Sequence, residues 1–181
     1  EPDFWQPWQA LYPGLQQVPE GGGGLAGALG CVPLVAMLRE QLVDVGWDDY
    51  DGWWLAAGTG TTLAGLVLGE GGERRVYGAL AVPTDHGVAP QVAAILQTAG
   101  HNERNFELID ASRGGFAKVD PALLGFIQAS ETASGVPLEP LYTAKALMAL
   151  EQAVKEGSIT RGKRLVFVHT GGLQGRRGFV V

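Results

Sequence analysis

The stretch WWLAAGTGTTLAGLVLG, Trp53 to Gly69, runs from bulky apolar residues into alternating glycine and threonine, then into a helix-forming segment. Trp53 to Ala57 has the apolar, β-prone character of a buried strand, and Thr61 to Leu68 carries apolar residues at helical spacing. A strand that feeds a helix through a short turn is half of a parallel crossover, since parallel neighbours cannot be joined by a hairpin. The rest of the chain keeps the same rhythm. Arg74 to Val82, Phe106 to Asp110 and Arg164 to His169 read as strands. Leu25 to Val43, Pro90 to Ala99, Pro121 to Ser134 and Thr143 to Glu156 read as helices. Several helices are punctuated: Asp120 is a cap followed by proline in the first turn, and Gly100, Gly135 and Gly157 stand where helices should stop. This alternation predicts an α/β fold, a mostly parallel sheet flanked by helices, whose ligands bind beyond the carboxyl ends of the strands.

Composition narrows the partners. The 181 residues, 46% of them hydrophobic, suffice for a single α/β domain spanning 1–181 with a sizeable core. A net charge of −6 offers no basic face for nucleic acid. Cys31 is the only cysteine, so no internal disulfide or thiolate metal cluster can form, and a reducing cytoplasm is expected. No run reads as apolar enough to cross a bilayer and no signal-peptide pattern is present, so no membrane partner is expected. The EGGGG stretch, Glu20 to Gly24, reads as a turn or a close backbone approach rather than a tether. Glu1 is not an initiating methionine, so the N-terminus is expected to be processed, trimmed or internal to a longer chain.

Three stretches carry chemistry. Gly58, Thr59, Gly60, Thr61 and Thr62 lie where a strand gives way to a helix; exposed amides, the helix dipole and threonine hydroxyls there would cradle a phosphate. The same residues also suit an ordinary turn capped by Thr61 or Thr62. They form neither a P-loop nor a dinucleotide fingerprint, for want of the Gly-Lys-Ser/Thr ending and of a placed acidic residue. The second stretch, VFVHTGGLQGRRG, delivers His169 and Thr170 to the end of the last strand, on the rim that the first turn occupies. His169 reads more readily as a packed strand-end histidine than as a base, and no metal-ligand spacing links it to His86 or His101. The third, GVPLEPLYTAKALMAL, places Tyr142, Thr143 and Lys145 at a helix start after Pro140, where a tyrosine can equally fill the core.

Together these stretches resemble one family. PEGG (Pro19 to Gly22), GTGTTLAGL (Gly58 to Leu66), GGFAK (Gly114 to Lys118), PLEPLYTAKAL (Pro137 to Leu147) and HTGGLQG (His169 to Gly175) follow the order and approximate spacing of the 1-aminocyclopropane-1-carboxylate deaminase and D-cysteine desulfhydrase family. The resemblance covers essentially the whole chain, as the C-terminal part of such an enzyme. It implies a tryptophan synthase β-like fold (fold type II), of which this is the large-domain portion, with pyridoxal 5′-phosphate as cofactor, a small amino-acid substrate and a homodimer. Gly58, Thr59, Gly60, Thr61 and Thr62 would hold the cofactor's phosphate, Thr170 would sit by the pyridine nitrogen, and Tyr142 would lie near ring and substrate. The deaminase branch is expected to have Glu directly after this tyrosine. Thr143 stands there instead, and a neutral hydroxyl suits β-elimination of a good leaving group better than opening of a strained ring. The desulfhydrase branch, giving an oxoacid and ammonia with sulfide from D-cysteine, therefore fits better.

Departures from the family's pattern carry expectations of their own. The lysine that bears the cofactor lies in the family's N-terminal part, and Lys118, Lys145, Lys155 and Lys163 occupy other contexts, with Lys118 and Lys145 reading as surface or structural lysines. The chain is thus expected to be a fragment of a longer two-domain enzyme, inactive without its missing N-terminal portion. Gly23 and Gly24 replace a common Ser-Asn pair, and Ala144 adds a methyl where glycine is common and the turn is expected to be tight. Two rivals remain: true deamination of the cyclopropane amino acid, and a non-catalytic half-enzyme or interaction module.

Overall fold

A computed structural model describes residues 5–102 and 105–179. Four strands, β1 (Gly52–Ala57), β2 (Arg75–Leu80), β3 (Phe106–Asp110) and β4 (Leu165–Val168), form one sheet in the order β3-β2-β1-β4, with every pairing parallel. The seven helices among the described residues are α1 (Gln6–Leu11), α2 (Leu25–Cys31), α3 (Pro33–Gln41), α4 (Thr61–Glu70), α5 (Val88–Thr98), α6 (Pro121–Ser134) and α7 (Thr143–Glu156). Burial explains why the central strands lack alternation. Trp53 and Leu55 face a core shared with α4 and α5, whereas Trp54 and Tyr77 face a second core with Ala146 and Ala153 of α7. Both faces of the sheet are therefore dry, as parallel sheets require.

Helix α4 is the axis of the first core. Gly65 and Gly69, one turn apart, let α2 and α3 pack directly on its backbone: a methyl at Gly65 would lie 2.6 Å from Cys31 Cβ, and one at Gly69 2.9 Å from the Val32 carbonyl oxygen. The far end of α4 is anchored by Glu70, 2% exposed. Its Oε1 accepts from the Tyr50 hydroxyl and from Trp53 Nε1 (2.5 Å), and its Oε2 accepts from Arg39 at 3.0 Å. Burial first, then the Glu70 carboxylate, pushes the Tyr50 phenol up to about 12.

Several expectations need correction. The segment Leu25 to Val43 is two helices and a 3-10 turn (Leu42–Val45), because Pro33 has no N–H to continue the ladder and opens a helix of its own. By length and composition alone, Leu25–Val45 is long and apolar enough to cross a membrane, which the sequence expectation denied; here it is broken, and its inner side packs on α4. Helix α5 starts at Val88, so Pro90 stands inside its first turn, where a proline costs no intrahelical bond. The short α1 was not foreseen; none of its residues is buried. Phe106–Asp110, Pro121–Ser134 and Thr143–Glu156 stand as expected, the remaining limits shift by one or two residues, and Asp120 caps α6 by accepting from Leu123 N–H.

Candidate functional site

Strands β1 and β4 run parallel side by side, so the turns after them meet on one rim. At the end of β1, Gly60 is the N-cap of α4 with φ 81° and ψ 1°. A methyl there would overlap Val92 Cγ2 and lie 3.1 Å from Val88 Cγ1, so the backbone fits against α5 only without a side chain. The Thr59 and Thr61 hydroxyls are 3.1 Å apart. The 3-10 turn Glu20–Gly22 closes on them: a methyl at Gly21 would stand 2.8 Å from Thr59 Cγ2. This brings the expected close approach of the glycine-rich stretch to the site itself. Between the two turns lies a cleft of about 440 Å³ whose walls include Glu20, Gly23, Gly24, Thr59, Thr61 and Gln91. Two hydroxyls, a ten-residue helix beginning at Thr61 and a backbone bare of side chains make a floor suited to a phosphate.

Tyr142 reaches the same turn from the other side of the sheet. It is the N-cap of α7, its ring packs edge-on against Phe116 at 5.3 Å, and a methyl at Gly58 would lie 3.3 Å from its Cε1. Burial pushes the phenol above the ordinary tyrosine value, and the carboxylates of Glu139 and Glu20 push it the same way. The hydroxyl therefore keeps its proton at neutral pH. Thr170, exposed, follows β4 on the shared rim. His169 is a structural residue: its Nδ1 accepts from Gly171 N–H (3.2 Å), which leaves Nε2 to donate to the Pro137 carbonyl (2.8 Å). Both nitrogens are committed to shaping the turn.

Two residues acquire roles that sequence reasoning left open or overlooked. Lys145, 2% exposed, is structural rather than superficial: its ammonium donates to the carbonyls of Ser112 (3.0 Å), Gly115 (2.9 Å) and Phe116 (2.8 Å). It thereby folds the GGFAK loop that brings Phe116 to Tyr142, and burial lowers its pKa. Lys118 in that loop is exposed. Glu139, overlooked in the sequence, is 1% exposed beneath the start of α7, and its carboxylate accepts from the amides of Leu141, Tyr142 and Thr143. An acid four residues before a threonine at a helix start was the available signal, a variant of the reciprocal capping box. Ala144 lies within α7 rather than in a tight turn, and its methyl is buried with Leu123, Ile127 and Leu138.

Fold and rim together define an open, parallel α/β protein that presents an anion-suited turn and a neutral phenol at the carboxyl edge of its sheet. No family model matches the chain. A Pyrococcus furiosus protein provisionally described as a 1-aminocyclopropane-1-carboxylate deaminase is 30% identical over 167 residues, 87% of this chain and 50% of that protein. The mitochondrial bifunctional D-cysteine desulfhydrase/1-aminocyclopropane-1-carboxylate deaminase of Arabidopsis thaliana is 31% identical over 169 residues, 87% of this chain and 41% of that protein. A crystal structure of an ACC deaminase homologue superposes with a TM-score of 0.77 at 25% identity, covering 97% of this chain and 57% of the other. The chain belongs to the 1-aminocyclopropane-1-carboxylate deaminase and D-cysteine desulfhydrase family, and it spans about half the length of the curated relatives it matches.

Proposed function

We propose that this chain forms the cofactor-holding part of a pyridoxal phosphate-dependent lyase of the D-cysteine desulfhydrase type. The reaction is β-elimination on a small amino acid, giving an oxoacid and ammonia, with sulfide from D-cysteine. The observation that carries the reading is the meeting of the Tyr142 ring with the Gly58 backbone, which brings a proton-bearing phenol onto the phosphate-suited turn. The amides opening α4 and the hydroxyls of Thr59 and Thr61 would hold the cofactor's phosphate, with Gly58, Gly60 and Thr62 shaping the cradle. Thr170 would offer a neutral hydroxyl to the pyridine nitrogen. When bound, pyridoxal phosphate supplies the electron sink. Tyr142 would hold or move a proton at its Oη beside the substrate, and Glu20 would form the outer wall.

The choice of desulfhydrase over deaminase rests on Thr143. Its hydroxyl accepts from Glu139 N–H at 3.0 Å inside the α7 cap, so the position holds no carboxylate for the ring. The lysine that bears the cofactor would come from the rest of a longer parent, because Lys145 is spent on three carbonyls and Lys118, Lys155 and Lys163 are exposed. The parent would be a two-domain homodimer of the cytoplasm. The test is the intact protein from its organism, with absorbance at about 400–430 nm followed by separate incubation with D-cysteine and with 1-aminocyclopropane-1-carboxylate. The band together with sulfide release is expected. Oxobutyrate from the cyclopropane substrate without sulfide from D-cysteine would return the deaminase reading, and a colourless protein that ignores added cofactor would leave a non-catalytic half-enzyme.

A further inference from the structure

The carboxylate of Glu139 is buried, and among the described residues it forms no ion pair. Its three partners are consecutive amides at the mouth of α7: Oε2 accepts from Leu141 N–H at 2.7 Å, and Oε1 accepts from Tyr142 N–H at 2.7 Å and Thr143 N–H at 2.5 Å. The grip is reciprocal, since Thr143 Oγ1 accepts from Glu139 N–H and the Glu139 carbonyl accepts from Ala144 N–H at 3.0 Å. The other flank of the side chain touches the turn after β4. A methyl at Gly172 would lie 3.3 Å from Glu139 Cγ, and one at Gly175 4.0 Å from Oε2. A second carboxylate ties the same turn from outside, for Glu131 accepts from Arg176 at 2.6 Å and from Leu138 N–H at 2.7 Å. Glu139 thus sits where the segment that sets Tyr142 and the turn that carries Thr170 come together.

We propose that Glu139 is the positioning residue of the site: by gripping the three amides that open α7 and packing on Gly172, it fixes Tyr142 over the Gly58 turn and Thr170 on the shared rim. An ordinary helix cap needs one acceptor for one or two amides. Here a full negative charge is buried to order a five-residue segment whose outward product is the tyrosine ring, and charge-assisted bonds to three amides are the arrangement that makes such burial tolerable. The same charge bears on what Tyr142 does. Glu139 and Glu20 are the charged groups that raise its phenol, while Phe116 and Gly58, which also pack on the ring, carry no charge. Burial raises the phenol first and the Glu139 charge adds to it, so the residue that positions the ring also bears on its protonation. The inference deepens the lyase reading and rests on it for its catalytic meaning, but not for its geometry.

The experiment is nuclear magnetic resonance of the cofactor-free protein labelled at tyrosine ring carbons, with Tyr142→Phe assigning the signal, in wild type, Glu139→Gln and Glu139→Asp. Glu139→Gln keeps the volume, removes the charge and turns an amide NH2 toward backbone donors. The Tyr142 titration midpoint is expected to fall, and amide exchange at Leu141 to Thr143 and at Gly171 to Gly175 to rise by about tenfold or more, the scale of a lost charge-assisted bond. Glu139→Asp, which keeps the charge on a shorter arm, is expected to preserve most of the raised titration while loosening the amides; it also serves if the glutamine variant does not fold. A purely structural cap would change global stability and leave the Tyr142 midpoint and the Gly171–Gly175 amides where they are, and that result overturns the proposal. Inorganic phosphate, titrated in parallel and followed at the Thr59 to Thr62 amides, separates the two claims. Wild type that ignores phosphate defeats the cofactor reading whether or not Tyr142 moves, and an unmoved Tyr142 defeats the positioning role whether or not phosphate binds.

Discussion

Gly60→Ala, compared with Gly71→Ala, isolates the steric basis of the turn at the head of α4. The two glycines cap opposite ends of one helix, both left-handed, with φ 81° at Gly60 and 57° at Gly71. A side chain in that region costs about 1–2 kcal/mol, offset by about 0.4–1 kcal/mol because alanine stiffens the unfolded chain. At Gly71 nothing lies within 4 Å of the added methyl, so the net loss there should be about 0–1.6 kcal/mol. At Gly60 the methyl overlaps Val92 and meets Val88, and driving α5 outward adds about 1–3 kcal/mol, the usual cost of overpacking. The expected difference between the variants is therefore about 1–3 kcal/mol, or roughly 2–12 °C in Tm for a chain of this size. Urea denaturation with matched slopes measures it, and phosphate titration should show weakened binding in Gly60→Ala alone. Equal stability losses would refute the claim that the cradle is packed against α5.

The Glu70 anchor gives two more expectations. Glu70→Ala strands the Tyr50 hydroxyl and the Trp53 indole N–H in the core and should cost about 3–5 kcal/mol in chemical denaturation, with Arg39 adding little because it is half exposed. A loss below about 1 kcal/mol would mean that water or a neighbour replaces the carboxylate. The second concerns alkaline pH. With its folded pKa near 12 against 10.0 in the unfolded chain, Tyr50 contributes stability fully present below pH 10 and lost as pH rises toward 12. Tyr50→Phe should flatten that decline in a pH series of melting curves.

The parts of this structure legible in the sequence are those set by local pattern. Trp53 to Ala57 had to be a doubly buried strand because apolar residues fill both its faces, and Asp120-Pro121 announces α6 through chemistry confined to one turn. The shared rim followed from parallel pairing, since parallel strands end together. Glu139 was hidden for the opposite reason. Its partners include near neighbours, but its burial depends on the turn after β4, more than thirty residues downstream. Lys145 likewise looks like a solvated helix residue until the loop 112–116 folds across it. Pro33 misled because its φ suits a helix while its missing N–H divides one.

The close seating of α2 and α3 on Gly65 and Gly69 has a mechanical meaning. The Glu20–Gly22 turn that walls the cleft leads directly into α2, and α2 is fastened to the same helix whose first residues form the floor. Wall and floor are thus bolted to one beam, while Tyr142 and Thr170 hang from α7 and β4 on the other side. The seam between these two sides runs where the Tyr142 ring rests on Gly58, while α5 closes the cleft itself through Gln91, Ala94 and Ile95. A bulky residue at Gly65 would shift the wall bodily without touching the seam.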